Sequence, residues 1–126
     1  MSEKSVGTLL GHGLDGTWTA IDDQFGGVTI GIFRGLTWTF SGNHYTRKQS
    51  GRVVSGGSFQ TDPTTNPKII DLIPEIGNHK EKMIHCIYEV ENELLKICLP
   101  TDPSNKRPAD FTSKTFDQWM FILKRK

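Results

Sequence analysis

The chain has 126 residues, with 15 basic and 14 acidic side chains and a formal net charge of +1. This length fits one domain that buries a core without metal or disulfide staples. The near-neutral balance gives no electrostatic reason to expect nucleic acid or a membrane surface as partner. No apolar run is long enough for a membrane span or a signal-peptide core, and two cysteines do not form a secreted disulfide framework, so we expect a cytoplasmic protein.

Glycines and prolines divide the chain into short runs about 8–12 residues apart, which is the spacing of all-β domains. The first strand is predicted at residues 17–21, which follow Gly16 and are rich in β-forming residues. Residues 24–35 contain four glycines among several large apolar residues. This segment is compatible with a strand, an irregular loop, or a short helix that acts as a lid over one end of the fold.

Residues 36–40 alternate strictly between large apolar residues and threonine, and this period of two predicts a half-buried strand. The pair Gly56-Gly57 predicts a bulge or a sharp bend inside a later strand. Pro74 is expected to end the strand that precedes it. The remaining strands are predicted at residues 44–49, 52–61, 68–73, 82–90, 93–99 and 118–124.

About eight consecutive strands joined mostly by short turns favour up-and-down antiparallel order. Eight such strands can close into a barrel, which removes the exposed edges of an open sheet. The fold class predicted is therefore all-β, an antiparallel up-and-down barrel formed by residues 14–126. Residues 1–13 are predicted to be a flexible N-terminal extension.

The tripeptide Gly16-Thr17-Trp18 opens the first strand, as in lipocalins, and further motifs follow in order along the chain. These are residues 56–59, 62–63, 66–72, 87–89, 95–99, 107–111 and 123–125. In this order the chain resembles a family of small bacterial lipocalin-like (calycin-like) domains without an assigned activity. The resemblance implies that Trp18 plugs the closed end of a barrel and that Arg125 packs across its face, with Arg107 as second choice.

Large aromatic residues lie on several different predicted strands. If the barrel is hollow they line an apolar ligand pocket, and if it is filled they form the core. Alternation places Trp38 with Phe40 on one face, and Trp119 with Phe121 on one face, without showing which face is inside. The set consists of Trp38, Phe40, Tyr45, Phe59, Tyr88 and Trp119.

Four histidines (His12, His44, His79 and His85) lack the spacing of metal ligands, and we expect neither a metal site nor a cofactor. His85 alternates with Met83 and Ile87, which we interpret as pointing into the barrel. It is then either a hydrogen-bonded core histidine or a proton-transfer group, with Tyr88 and Tyr45 as weaker catalytic candidates.

Arg107 and Asp110 follow a long polar loop. The arginine either forms an ion pair that ties this loop to the barrel or reads an anion at the barrel mouth.

Two cysteines lie on the two strands of one predicted hairpin. A three-residue loop at 91–93 would place Cys86 opposite Cys98, and a loop of two or four residues would move them out of register. We expect two small buried apolar side chains rather than a disulfide.

The function predicted from these features is binding of a small apolar or amphipathic ligand in the barrel interior. The ligand-binding residues would be Trp38, Phe40, Phe59, His85, Tyr88, Arg107 and Trp119. One alternative is a small cavity enzyme of the cyclase or isomerase type that uses His85 or a tyrosine as acid or base. Another is a filled barrel that acts as a protein-interaction domain.

Overall fold

The structure is a computed structural model and describes residues 13–77, 80–112 and 117–126. Within these ranges all regular secondary structure is β-strand. The nine strands are β1 (Gly16–Phe25), β2 (Val28–Thr29), β3 (Thr37–Ser41), β4 (His44–Gln49), β5 (Arg52–Asp62), β6 (Lys68–Ile76), β7 (Ile84–Glu91), β8 (Leu94–Pro100) and β9 (Gln118–Arg125).

Eight of these strands close into an antiparallel barrel. Strands β3 to β9 pair in chain order, β3 also pairs with β1, and β9 pairs with the other side of β1. The ninth strand, β2, pairs only with the end of β1. The predicted all-β, lipocalin-like barrel is therefore confirmed. Residues 24–35 form the end of β1, the short strand β2 and turns, so the helix considered for this segment is not formed.

Alternate side chains of each strand point into the barrel. In β3 the aromatic residues are buried and the threonines are half-buried, as the alternation predicts. In β9, Trp119, Phe121 and Leu123 face inward, so the residues predicted to share a face do so. The buried core also includes Trp18, Leu36, Trp38, Phe40, Tyr45, Phe59, Ile70, Leu72, Cys86, Tyr88, Leu95 and Ile97.

A bulge in β1 changes which residues of that strand face inward. Ala20 pairs with Leu123 and Asp22 pairs with Ile122, so Ile21 is an extra residue. The Ile21 side chain is consequently exposed to solvent. Beyond the bulge the alternation is shifted by one residue, and Asp23 is buried on the inner side.

The predicted bend at Gly56-Gly57 is confirmed, because the pairing of β5 with β6 shifts register between these glycines. The prediction that Pro74 ends its strand is wrong, because β6 continues to Ile76. The pairing of β6 with β7 stops at Leu72, so Pro74 has a strand partner on one side only. Proline is tolerated at such a position because no partner requires its missing N–H group.

Trp18 and Arg125 close the end of the barrel where β1 begins, as the resemblance implied. The indole N–H of Trp18 donates to the carbonyl of Leu14 at 2.8 Å. The Arg125 guanidinium lies 4.1 Å from the centre of the Trp18 ring. It also donates to the carbonyls of Asp15 at 2.8 Å and Gly13 at 2.7 Å. The segment just before β1 and the end of β9 are therefore joined over a buried tryptophan.

Some sequence predictions fall on residues outside the described ranges. These are the N-terminal extension, except Gly13, and the histidines His12 and His79. In the part of the chain that is described, no helix has the length and hydropathy of a membrane span.

Candidate functional site

A cavity of about 430 Å³ lies at the open end of the barrel, opposite Trp18. We call it the mouth cavity. It is formed where β1 and β8 end and where β7 and β9 begin, and the loop before β3 contributes to it. Its walls are Phe25, Phe33, Arg47, Ile84, Leu99, Pro100, Thr101, Pro103, Trp119 and Phe121. The barrel is therefore filled over much of its length and hollow at the mouth.

The walls of the mouth cavity are largely aromatic. The rings of Phe25 and Trp119 stack with centroids 4.6 Å apart. The ring of Phe33 meets Trp119 edge-on at 5.5 Å and lies 5.4 Å from Phe121. Such arrangements are favourable for aromatic pairs. They present flat apolar surface to the cavity.

Hydrogen bonds to β1 hold the loop that carries Phe33. The backbone N–H of Phe33 donates to Asp23 Oδ1 at 3.2 Å, and the N–H of Ile30 donates to the Asp23 carbonyl at 2.9 Å. The N–H of Gly35 donates to the Ala20 carbonyl at 2.9 Å. The bulge in β1 is what turns the Asp23 carboxylate toward this loop. The bulge at Ile21 therefore positions both Phe33 and the Asp23 carboxylate that binds its N–H group.

Arg47 reaches the mouth cavity from β4, whereas Trp119 reaches it from β9. Arg47 lies two residues after the buried Tyr45 and so shares its inward face. Its guanidinium carbon lies 4.5 Å from the centre of the Trp38 ring and 5.8 Å from that of Phe121. Burial lowers the pKa of Arg47 from its ordinary value, because the charged form has lost water.

Three buried N–H groups in this region lack a hydrogen-bond partner within the described residues. They are Arg47 Nε, Trp38 Nε1 and Trp119 Nε1. Unpaired buried donors are rare in folded proteins, and they are found preferentially where a ligand or water completes the bonding. The mouth cavity therefore has largely apolar walls with unpaired donors at Arg47, at Trp38 beneath it and at Trp119.

The aromatic residues predicted to bind ligand are divided by the structure. Trp119 lines the mouth cavity, and Trp38 lies beneath it in contact with Arg47. Phe40 and Phe59 pack edge-on at 5.1 Å within the filled core. Tyr88 is also buried in the core, away from the cavity wall. Only the members near the open end are in a position to meet a ligand there.

The sequence did not single out Phe25, Phe33 or Arg47. Phe33 and Phe25 lie in the segment that was hardest to interpret, and Phe25 follows the bulge that shifts the alternation. Arg47 does share a predicted strand with Tyr45 at a spacing of two, which was the available signal. That signal identifies an inward arginine only once Tyr45 is known to be buried.

His85 lies on the outer face of the barrel, so the prediction that it points inside is wrong. In β7 the inward residues are Ile84, Cys86 and Tyr88, which fixes their neighbours as outward. His85 Nδ1 lies 3.0 Å from Asp71 Oδ1 and 3.1 Å from Arg107 NH2. A protonated Nδ1 donates to the carboxylate, and an unprotonated Nδ1 accepts from the arginine.

Arg107 is also on the outer wall, so the interpretation that places it at the barrel mouth is wrong. Its NH1 group lies 2.7 Å from Asp71 Oδ1 and donates to the Cys86 carbonyl at 2.8 Å. The alternative, an ion pair that ties the loop to the barrel, is confirmed, with Asp71 of β6 as the partner. The partner of Arg107 is thus Asp71 and not Asp110, although Asp110 is closer to Arg107 in the sequence.

The proton-transfer candidates are not brought together at the mouth cavity. Tyr45 and Tyr88 lie in the core, and His85 lies on the outside. Burial raises the pKa of Tyr88 to about 12 and also raises that of Tyr45. Both phenols are therefore poor bases near neutral pH. The described residues hold no cluster of three side chains suited to a metal ion.

Cys86 and Cys98 are free thiols on opposite faces of the sheet. The hairpin turn has two residues, Asn92 and Glu93, so Ile87 rather than Cys86 pairs with Cys98. Cys86 points into the core. Cys98 lies on the outer wall beside Ile87 and Met120, where the loop that carries Phe111 covers it. The in-register arrangement considered for a three-residue loop does not occur.

We predict that both thiols are unreactive in the folded protein. Burial raises the pKa of Cys98 to about 12 and that of Cys86 well above its ordinary value, so little thiolate is present at pH 8. Titration with 5,5′-dithiobis(2-nitrobenzoate) should release about two equivalents in denaturant and almost none without it. Rapid reaction of either thiol in the native protein would contradict this prediction.

No family model, curated protein or solved structure matches this chain. The relationship to bacterial lipocalin-like domains therefore stays a prediction. The barrel itself is established by strand pairing, and the function has to be argued from the mouth cavity.

Proposed function

We propose that this barrel binds a small apolar or amphipathic molecule in the mouth cavity. The observation that carries the proposal is a cavity of about 430 Å³ with aromatic walls at the open end of a closed barrel. Ligand pockets commonly have volumes of about 300–1,000 Å³ and mostly apolar linings, and barrel mouths are a frequent place for them. Because core residues fill the barrel below Trp38, a ligand in the mouth cavity would stay at the open end.

Exposed apolar side chains near the open end support the same proposal. Val28 is 57% exposed and Ile32 is 60% exposed, and both belong to the segment between β1 and β3. Val53 at the beginning of β5 and Ile76 at the end of β6 are also exposed. Apolar surface around a cavity gives an apolar molecule a favourable path of entry. The cytoplasmic location, the cavity-enzyme alternative and a protein partner stay predictions.

A fluorescence titration with N-phenyl-1-naphthylamine tests this function, because this neutral dye brightens in apolar surroundings. We expect saturable binding of about one dye per chain. Trp119→Ala should weaken binding about tenfold, because it removes a stacked ring from the wall. Phe33→Ala should also weaken binding, because it removes a wall ring that is carried by the loop before β3.

Phe59→Leu is the matched control, because Phe59 lies in the filled core rather than on the cavity wall. This variant should lose stability and keep its affinity for the dye. The function would be rejected if the native protein did not bind the dye saturably. It would also be rejected if both wall variants bound the dye as well as the unaltered protein.

A further inference from the structure

Arg47 is a half-buried cation with a buried Nε, and it forms no ion pair with another described residue. The ion pairs among the described residues involve His85, Arg107 and Arg125, and none involves Arg47. The guanidinium lies against the rings of Trp38 and Phe121, and these cation–π contacts help to stabilise its charge at this position. Stacking does not satisfy the N–H groups at the edge of the guanidinium plane, and Nε is buried without a partner.

The described groups that interact electrostatically with Arg47 carry no negative charge at neutral pH. These groups are the Tyr45 hydroxyl and the Cys86 thiol, and burial raises the pKa of both, so both stay neutral. Asp23 is buried, and its Oδ1 accepts the Phe33 N–H while its Oδ2 has no partner among the described residues; this carboxylate forms no ion pair with Arg47 and is not part of the cavity wall. Among the described residues that line the cavity, Arg47 is the one with a charged side chain.

The two sides of the cavity therefore differ in chemical character. One side presents Arg47 with the indole N–H of Trp38 nearby, both as donors without acceptors. The other side presents the rings of Phe25, Phe33 and Trp119. A guanidinium is suited to a planar anion, because two parallel N–H groups can bond two oxygen atoms at once. In a site with little water, such a bond is stronger than at the surface.

We propose that the ligand of the mouth cavity is a small aromatic or alkyl acid whose carboxylate, or a similar planar anion, binds Arg47. This inference rests on the proposed function and specifies the ligand class for the same site. The apolar body of the acid would lie between the aromatic walls. The body of the acid cannot extend deeper into the barrel, because Trp38, Phe40 and other core residues fill the space below.

Isothermal titration calorimetry with a matched pair of probes tests the inference at pH 7. 2-Naphthoate and 2-naphthylmethanol share one ring system and differ in the charged group. The native protein should bind naphthoate at least about tenfold more tightly, because only the acid forms a charge-assisted bond. Arg47→Met should weaken naphthoate binding about 10- to 100-fold and change the affinity for the alcohol by less than about twofold.

Two further variants separate recognition of the anion from general electrostatics. Arg47→Lys keeps the charge and loses the planar pair of donors, so it should give an intermediate loss. Arg52→Met removes an exposed cation from the same end of the barrel that is not in the cavity wall, and it should leave both affinities unchanged. The native comparison needs no variant, so the test holds even if Arg47→Met does not fold.

The outcomes distinguish this inference from the proposed function. Equal affinities for the two probes, unchanged by Arg47→Met, would overturn the inference and leave the proposed function standing. In that case the arginine is held only by its aromatic neighbours. Failure of both probes and of the neutral dye to bind would overturn both proposals. If Arg52→Met lost the preference for the acid to the same extent as Arg47→Met, the preference would come from surface charge. That result would overturn the inference.

Discussion

Replacing Trp18 with alanine is expected to lower the free energy of unfolding by about 4 kcal/mol. The side chain is fully buried and is the plug at the closed end of the barrel. Its removal leaves a cavity that the surrounding strands cannot fill by collapsing, because β1 is hydrogen-bonded on both sides. It also removes the indole donor from the Leu14 carbonyl. Domains of this size have total stabilities of about 5–15 kcal/mol, so the loss is a large part of the whole.

Urea unfolding followed by far-ultraviolet circular dichroism measures this loss, because tryptophan fluorescence changes with the substitution itself. Arg125→Met is the matched control. It keeps apolar cover over the indole but loses the cation–π contact and two hydrogen bonds to exposed carbonyls, so we expect about 1 kcal/mol. A loss below about 1 kcal/mol for Trp18→Ala would show that the closed end repacks without its plug.

Gly57→Ala is expected to lower the free energy of unfolding by about 3 kcal/mol. A Cβ at this position would overlap the carbonyl oxygen of Ile73 and would lie 2.8 Å from the backbone nitrogen of Glu75. These are backbone atoms of the neighbouring strand β6, so no side-chain rotation relieves the overlap. The substitution would force β5 and β6 apart at the bend that curves the barrel wall.

Gly56→Ala tests whether the effect belongs to the close approach rather than to glycine as a residue type. A Cβ there would lie 3.1 Å from the Tyr45 carbonyl oxygen and 3.6 Å from Ile76 Cδ1, which small shifts can accommodate. We expect a loss of about 1 kcal/mol for this variant in the same urea experiment. Similar losses for the two variants would contradict the assignment of Gly57 as the point of closest strand contact.

The fold could be predicted from the sequence because the features that specify it, turns and alternation, are local. Turn residues mark the strand ends, and the alternation at residues 36–40 identifies a two-faced strand without any knowledge of its partners. The pair Gly56-Gly57 has the composition of a bend, and the bend is present. The prediction that Pro74 ends its strand was wrong because the effect of a proline depends on whether a second strand pairs beside it. That pairing is not a local property of the sequence.

The site was less accessible, because it depends on which face of each strand is inside. Alternation relates Trp119 to Phe121 and Arg47 to Tyr45 but assigns neither pair to the interior. The outward position of His85 follows from β7 as it packs in the barrel, not from its neighbours in sequence. The bulge in β1 shifts the alternation within one strand, and that shift directs Asp23 and the loop that carries Phe33.

The sequence by itself determined an all-β domain, the approximate strands and the bend at Gly56-Gly57, and the resemblance to lipocalin-like domains implied the contact of Trp18 with Arg125. Only the tertiary structure decided that the barrel is filled at one end and hollow at the other, and that Arg47 faces the hollow. It also decided that Arg107 pairs with Asp71 on the outer wall. The reason is physical: strand propensity and turns act over a few residues, whereas the cavity is set by side chains that meet across the barrel after it closes.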